Sequence, residues 1–283
     1  MNYQWYPGHM TKAKRMMQED IKLIDLVIEL VDARIPLSSR NPDIDKLAEN
    51  KARIVLMNKS DLADPVMNKC WKEYFEKSGA YVLEVNSKSG DGLKAIQGVV
   101  KEACREKLER DRKRGIVGRP VRAMVAGIPN VGKSTFINSF AKKACTKTGN
   151  KPGITKGKQW IRLNKELELL DTPGILWPKF EDQEVGKRLA FIGSMNDEVI
   201  IVEELACDLI EALQGLYPEA LIARYGMEPA RSAPDILAQI AESRKCYGRG
   251  ESLDLTKAAA LLMDDFRDGR LGRLTLEKPG DRS

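Results

Sequence analysis

One segment restricts the possible folds of the chain more than any other: residues 127–134 read G-I-P-N-V-G-K-S. An apolar stretch at residues 122–127 leads into this segment, and an amphipathic stretch at residues 132–142 follows it. A G-x-x-x-x-G-K-S pattern between a strand and a helix is typical of a loop whose backbone N–H groups surround phosphate at a helix N-terminus. The sequence therefore predicts a phosphate-binding loop within an α/β fold.

The residue types of this loop suit defined roles. The Lys133 ammonium can reach the β- and γ-phosphate oxygens, where it would also serve catalysis, and the Ser134 hydroxyl can ligate Mg²⁺. The alternative, a glycine-rich turn that binds nothing, is disfavoured because the full string rarely arises by chance. The other predicted nucleotide contacts of the loop are Asn130, Val131, Gly132 and Thr135.

A second motif identifies the base. Asn58-Lys59-Ser60-Asp61 follows an apolar stretch and fits the guanine-reading pattern N-K-x-D. The Asp61 carboxylate can accept hydrogen bonds from N1–H and the 2-amino group of guanine, whereas adenine has no donors there and would leave the carboxylate unpaired. Asn86-Ser87-Lys88 ends the next predicted strand, in the manner of an S-A-K loop that backs the base. The predicted ligands are therefore GTP and GDP.

Two further segments lie downstream of the phosphate-binding loop. Asp171-Thr172-Pro173-Gly174 closes the second strand of a predicted hairpin. There Asp171 would hold Mg²⁺ through water, and the Gly174 N–H would meet the γ-phosphate. Thr155 ends the segment K-P-G-I-T and lies between the two phosphate motifs. Because a nucleotide-sensing loop belongs at that point, Thr155 is a predicted Mg²⁺ ligand.

The motifs occur in an unusual order, because the base-recognition motifs precede the phosphate motifs, the reverse of an ordinary GTPase. Such a circular permutation costs little stability when the original termini lie close together at the surface. Residues 115–120 would form the link between those original termini. Alternating apolar and amphipathic stretches predict an α/β P-loop GTPase sheet, and later helical periodicity predicts a small all-helical C-terminal domain. We expect a permuted GTPase domain over residues 1–178 and a helical domain over residues 179–283, joined only through residues 175–180.

The pattern also predicts individual elements. The predicted strands are residues 25–31, 53–57, 81–85, 122–127, 159–163 and 166–170, of which the last two form a hairpin. The predicted helices are residues 43–50, 65–78, 92–114, 132–142, 184–191, 199–216, 218–225, 235–244 and 255–268.

The net charge changes sign along the chain. Residues 1–178 carry 33 basic and 21 acidic side chains, whereas residues 179–283 carry 14 and 20. Eight basic and three acidic residues are concentrated in residues 105–122. A positive field of this size attracts polyphosphate, most commonly nucleic acid; the alternative is a well-solvated surface.

Several classes of protein are excluded. The longest apolar runs, such as residues 258–263, are far shorter than the ~20 residues of a membrane span. Residues 1–10 lack the charged-then-apolar order of a signal peptide. The five cysteines lie at least 34 residues apart, so there is no C-x-x-C pair. We therefore expect a cytoplasmic chain with no membrane partner and no disulfide framework.

Several features together resemble one family. They are the permuted order, the opening W-Y-P-G-H-M at residues 5–10, D-A-R-I-P at residues 32–36, and G-I-P-N-V-G-K-S. The chain resembles the YlqF/RbgA family of bacterial ribosome-biogenesis GTPases over the whole GTPase region and, through L-W-P-K-F at residues 176–180, into the helical region. The resemblance implies binding to a precursor of the large ribosomal subunit, with its 23S rRNA and ribosomal proteins, in the GTP state, and release after hydrolysis.

The resemblance also implies that the C-terminal helices are similar to an RNA-binding antiterminator-type domain. Because residues 179–283 have a net charge of −6, bulk charge cannot attract RNA to them. Contact would come from the local clusters at residues 244–249 and 267–273, or from the basic face of the GTPase region. Alternatively, these helices only cover the sheet.

The attacking water needs a group to orient it. Ras-like enzymes use a Gln directly after D-x-x-G, but here that position is Ile175, which cannot orient water. His9 is the only histidine, and permutation puts residues 1–22 in the slot of the second switch region. Its imidazole can position or deprotonate a water, and the resemblance points to the same residue. The alternative is a surface or rRNA contact.

Asn130 has a second predicted role that the resemblance implies. In related GTPases an asparagine at this position helps to hold a K⁺ ion in place of an arginine finger, which would stabilise charge between the β- and γ-phosphates. The alternative is an ordinary loop asparagine that tolerates an unusual backbone conformation.

Three functions remain open at this point. The first is a GTPase whose hydrolysis drives release from a pre-ribosomal particle, and the second is a GTP-responsive rRNA-binding placeholder whose hydrolysis is incidental. The third is a tRNA-modification or cell-division GTPase, which would share the phosphate-binding loop but not the permuted order with W-Y-P-G-H-M.

Overall fold

A computed structural model of the protein describes residues 18–116, 118–145, 160–171, 182–195, 201–226 and 232–280. Its centre is a six-stranded sheet of β1 (Leu26–Asp32), β2 (Ala52–Asn58), β3 (Tyr81–Val85), β4 (Val121–Ala126), β5 (Trp160–Arg162) and β6 (Leu167–Asp171). The spatial order is β3-β2-β1-β4-β6-β5. All neighbours are parallel except the antiparallel pair β5 and β6, which confirms the predicted parallel sheet and its hairpin.

The strand β1 lies in the middle of the sheet, and all seven of its residues are buried. A strand that is covered on both faces usually has a nearly continuous apolar sequence, and β1 has such a sequence. Its exceptions are Asp32, the last residue of the strand, and Glu29, whose carboxylate contacts the guanidinium groups of Arg40 at 3.1 Å and Arg53 at 3.0 Å. A buried carboxylate is tolerated only when it is paired in this way.

Helices connect the strands of this sheet. Asp64 caps the second of them by accepting hydrogen bonds from the backbone N–H groups of Val66 and Met67. Pro65 occupies the first turn, where its missing N–H costs nothing. These helices are α1 (Asp43–Leu47), α2 (Pro65–Lys77), α3 (Ile96–Ala103), α4 (Arg105–Lys113) and α5 (Lys133–Cys145).

The prediction of one helix over residues 92–114 is wrong, because the chain forms a 3₁₀ turn at Leu93–Ala95 and then α3 and α4. The α-helices separate at Cys104, where φ is −101° and ψ is 13°. The helix α3 buries Ile96 and Val100, whereas α4 consists of charged residues and one leucine. A continuous helix would carry one apolar face along its length, and α4 does not have that face.

After Asp171, the described residues add five α-helices and no strand. The longest, α7, buries Leu205, Leu209 and Leu213 on one face, as its helical periodicity predicts. No helix in the described part of the chain is both long enough and apolar enough to span a bilayer. These helices are α6 (Gln183–Phe191), α7 (Val202–Leu216), α8 (Pro218–Tyr225), α9 (Ala233–Ser243) and α10 (Leu255–Arg267).

Beyond α10, residues 269–277 run back over the sheet region and are called the C-terminal strap below. The N–H of Leu276 donates to the carbonyl of Arg34 at 2.8 Å, and the Trp71 indole donates to the carbonyl of Glu277 at 3.1 Å. The buried Glu277 carboxylate accepts from the Leu37 N–H at 2.7 Å and contacts Arg188 at 3.3 Å. The expectation that the helical region is joined only through residues 175–180 is therefore wrong.

Candidate nucleotide-binding site

Three of the predicted site segments, at residues 58–61, 86–88 and 127–135, meet at one edge of the sheet. They follow the carboxyl ends of β2, β3 and β4, and in an open parallel sheet this edge is where ligands bind. A cavity of about 640 Å³ lies there, which is within the usual size range of small-molecule sites. Its lining residues are Asn58, Lys59, Asp61, Leu62, Asn86, Ser87, Lys88, Gly132, Thr135, Arg267 and Asp268.

The Asn58 side chain connects its own loop to the phosphate-binding loop and to the loop at residues 86–88. This side chain is buried, its Nδ2 donates to the Val131 carbonyl at 2.7 Å, and its Oδ1 accepts from the Ser87 N–H at 3.0 Å. A Cβ atom on Gly132 would lie 2.5 Å from Asn58 Nδ2, and Gly132 has a φ of +98°. Glycine is therefore required at that position for both space and backbone conformation.

Lys59 links the base-recognition loop to the phosphate-binding loop. Its Nζ donates to the Asn130 carbonyl at 2.9 Å and pairs with the Asp32 carboxylate at 2.9 Å. Burial alone would raise the pKa of Asp32, but Arg34 and Lys59 outweigh it and hold that pKa well below its usual value. Asp32 therefore remains ionised and keeps Lys59 in place.

The base-facing loops are shaped by their own side chains. The Ser60 hydroxyl donates to the Val85 carbonyl at 3.1 Å, and Asn86 Oδ1 accepts from the Lys88 N–H at 2.9 Å. Asp61 and Lys88 are exposed at the cavity wall. An exposed carboxylate on a rigid loop can exchange water for the two donors of a guanine edge.

In the phosphate-binding loop, Lys133 Nζ donates to the carbonyls of Gly127 at 2.9 Å and Ile128 at 3.2 Å, and the residue is only 8% exposed. Asn130 has a φ of +61°, and its side-chain amide donates to the carbonyl of Gly193. Ser134 and Thr135 are exposed at the start of α5. The loop thus combines a lysine, two hydroxyls and a helix N-terminus, a set that suits phosphate.

The predicted Mg²⁺ ligands are described in part. Asp171 pairs with Val125 in the sheet, so it ends β6 beside the strand that leads into the phosphate-binding loop and Ser134. Carboxylate and hydroxyl oxygens are ligands that Mg²⁺ accepts together with water and phosphate. Among the described residues no cluster of three or more His, Cys, Asp or Glu suits a metal ion. His9, Thr155 and Gly174 lie outside the described residues.

Two pairs of residues at this site were not predicted from the sequence. Asp32 and Arg34 were treated as part of a family signature, although their position at and just after the carboxyl end of β1, beside β2, already indicates the same edge of the sheet. Arg267 was assigned to a cluster of basic residues, and Asp268 was given no role. No local sequence signal indicates that the end of α10 reaches this cavity.

Comparison with known proteins identifies the family. A family model described as a 50S ribosome-binding GTPase matches residues 122–225. The chain is 47% identical to ribosome biogenesis GTPase A of Bacillus licheniformis, over 99% of this chain and all of the relative. It is 31% identical to ribosome biogenesis GTPase A of Thermotoga maritima, over 98% of this chain and 95% of the relative.

The fold agrees with these similarities. The crystal structure of GNP-bound YlqF from T. maritima matches with a TM-score of 0.68 and 28% identity, covering 96% of this chain and 100% of that chain. Both the sequence and the six-stranded sheet with its helical region are thus shared over nearly the whole length. The chain belongs to the ribosome biogenesis GTPase A (YlqF/RbgA) family and is a GTP hydrolase.

Proposed function

We propose that this GTPase binds a late assembly intermediate of the large ribosomal subunit in its GTP state, hydrolyses GTP when the particle stimulates it, and then dissociates. The relatives named ribosome biogenesis GTPase A support a role in ribosome assembly. The contact between the phosphate-binding loop and the helical region supports a coupling between nucleotide state and ribosome binding. Asn130 donates to Gly193, and the Ser194 hydroxyl donates to the Pro129 carbonyl at 2.7 Å. Nucleotide state can therefore bias the helical region directly.

In this proposal, residues 1–178 are the permuted GTPase domain and residues 179–283 are the helical domain. Mg²⁺ would be held by Ser134, Thr155 and, through water, Asp171, and it supplies charge neutralisation at the β- and γ-phosphates. Lys133 adds a second positive charge to the same oxygens. The base and phosphate contacts of the protein are Asn58, Lys59, Asp61, Asn86, Ser87, Lys88, Asn130, Val131, Gly132, Lys133, Ser134, Thr135 and Gly174.

The rRNA-binding surface of the proposal lies on the basic face of the GTPase domain. In the cluster at residues 267–273, the guanidinium group of Arg267 donates to the Ala190 and Phe191 carbonyls, and that of Arg273 donates to the Ser60 and Ala63 carbonyls. Arg270 pairs with acidic neighbours. By contrast, five basic residues in and after α4 have no ion-pair partner in the described part of the chain: Arg105, Arg110, Arg112, Lys113 and Arg114. A ribosomal partner of this kind implies a cytoplasmic location.

Turnover of GTP with and without ribosomal subunits tests the proposal. We expect salt-washed large subunits to stimulate phosphate release in K⁺ buffer and small subunits to have no effect. We further expect His9→Ala to keep its GTP affinity and to lose about 100-fold in stimulated kcat, since a positioned general base contributes about 10²- to 10⁴-fold.

This experiment tests the stimulation by large subunits and the catalytic role of His9 independently. Equal turnover with and without large subunits contradicts the proposed stimulation. Unchanged stimulated kcat in His9→Ala contradicts only the catalytic role of His9 and favours a surface or rRNA contact.

The proposed K⁺ site at Asn130 predicts a specific ion dependence. Replacing K⁺ by Na⁺ at constant ionic strength should slow hydrolysis, because a smaller ion fits the same oxygen ligands less well and stabilises less of the developing charge. Asn130→Ala should have a low rate in both salts. Equal rates of the wild-type protein in KCl and NaCl would rule out the K⁺ ion.

A further inference from the structure

The cavity of the candidate site has one wall that the GTPase sheet does not supply. Arg267 and Asp268, at the end of α10, line it together with the base-facing residue Asp61 and the phosphate-facing residue Thr135. The end of α10 thus lines the same cavity as the loops proposed to contact the base and the phosphates. The middle of a nucleotide, between base and phosphates, is its ribose.

The position of this wall is set by buried contacts. Arg34 is 1% exposed, and its Nη1 donates to the carbonyls of Phe266 at 3.1 Å and Arg267 at 3.2 Å. Its Nε and Nη2 donate hydrogen bonds to the two oxygens of the Asp32 carboxylate at 2.9 and 2.8 Å. Since Asp32 also holds Lys59, one buried ion pair positions both the base-recognition loop and the end of α10.

The C-terminal strap adds contacts between this wall and the same loop. The Leu274 N–H donates to the Leu62 carbonyl at 3.0 Å, and Arg273 Nε donates to the Ala63 carbonyl at 3.0 Å. Gly269 has a φ of +76°, and a Cβ there would lie 2.6 Å from Leu62 Cδ2. The end of α10 is therefore packed directly against the loop that carries Asp61.

The chemistry of this wall suits a ribose. In dinucleotide-binding α/β folds, an Asp or Glu carboxylate accepts a hydrogen bond from a ribose hydroxyl, so the same chemistry is available here. Asp268 is exposed, one of its oxygens contacts Arg270, and Arg267 lies beside it, so neighbouring positive charge offsets its repulsion from phosphate. We propose that Asp268 is a nucleotide-binding residue that accepts a hydrogen bond from a ribose hydroxyl of GTP and GDP. This inference rests on the nucleotide contacts proposed above.

Calorimetric titration with GDP and with 2′,3′-dideoxy-GDP tests this role in the full-length protein. We expect the wild-type protein to bind GDP about tenfold more tightly than the dideoxy analogue, as for loss of one hydrogen bond to a charged acceptor. Asp268→Ala should bind both nucleotides equally, at the affinity of the wild-type protein for the analogue. Asp264→Ala, which removes an exposed carboxylate from the same helix, should keep the wild-type preference.

Each outcome has a defined meaning. A preference for GDP in Asp268→Ala as large as in the wild-type protein, or no preference in the wild-type protein, overturns the inference. Asp268→Asn retains an acceptor oxygen and should recover part of the preference, which a merely destabilised variant would not do. Asp61→Ala tests the nucleotide site itself. If Asp61→Ala binds GDP normally, the proposed site is wrong. If Asp61→Ala loses GDP affinity but Asp268→Ala keeps the wild-type preference for GDP, only the role of Asp268 is wrong.

Discussion

Replacing Asp61 by asparagine should change the preferred base from guanine to xanthine. In the proposed site the Asp61 carboxylate would accept from N1–H and the 2-amino group of guanine, whereas an amide would present its NH₂ to that amino group, donor against donor. Xanthine has a carbonyl oxygen at the same position, which the amide can satisfy. We expect GDP affinity to fall about 100-fold or more, since hydrogen bonds to charged groups contribute about 1.5–3 kcal/mol each, and xanthosine diphosphate to become the tighter ligand.

Competition between the two nucleotides for Asp61→Asn, measured with a fluorescent diphosphate, gives both affinities. Glu73→Gln is the matched control, because it makes the same carboxylate-to-amide change at an exposed position of α2. A variant that still preferred guanine would show that Asp61 does not read the base, and the cavity would need another assignment.

Replacing Lys133 by alanine should nearly abolish hydrolysis. Lys133 is held inside the phosphate-binding loop by two backbone carbonyls and is almost fully buried. Its charge is therefore already oriented before nucleotide arrives, and such preorganised charge acts mainly on the transition state. We expect the rate to fall by about 10²- to 10³-fold, as for loss of one preorganised donor, and GTP affinity to fall more than GDP affinity.

Single-turnover phosphate release measures the rate for Lys133→Ala, with Lys142→Ala, exposed near the end of the same helix, as the control. The same variant separates two functions in cells. A GTPase whose hydrolysis drives release should leave large-subunit precursors unfinished when Lys133 is absent. If the particles mature at the normal rate, the protein is a placeholder whose hydrolysis is incidental.

The positions of the strands and most helices were predictable from the sequence because both depend on local periodicity. The central strand β1 is an apolar run interrupted only by Glu29 and ended by Asp32, and α2 begins at an Asp-Pro pair that satisfies its first N–H groups. The break at Cys104 was not predicted, because helical propensity continues through it and only the change in packing marks it.

The assembly of the site was partly predictable as well. Parallel strands end at the same edge of a sheet, so motifs that follow β2, β3 and β4 had to converge. The contacts inside the site, such as Asn58 with Val131, follow from that topology. The charge cluster at residues 267–273, by contrast, was one of several alternatives for an RNA contact, and the structure shows that Arg267 and Arg273 donate to carbonyls of the fold.

The sequence by itself indicated the chemistry of the proposed site: which residues would bind phosphate, which would read guanine, and in what order they occur. These properties depend on short segments whose residue types and spacing carry the information. Only the tertiary structure decided that Arg34 joins the base-recognition loop to the end of α10, and that Asp268 lines the same cavity as Asp61. Those contacts join residues more than 200 positions apart, and no local pattern records them, because they form only when the C-terminal strap packs across the completed sheet.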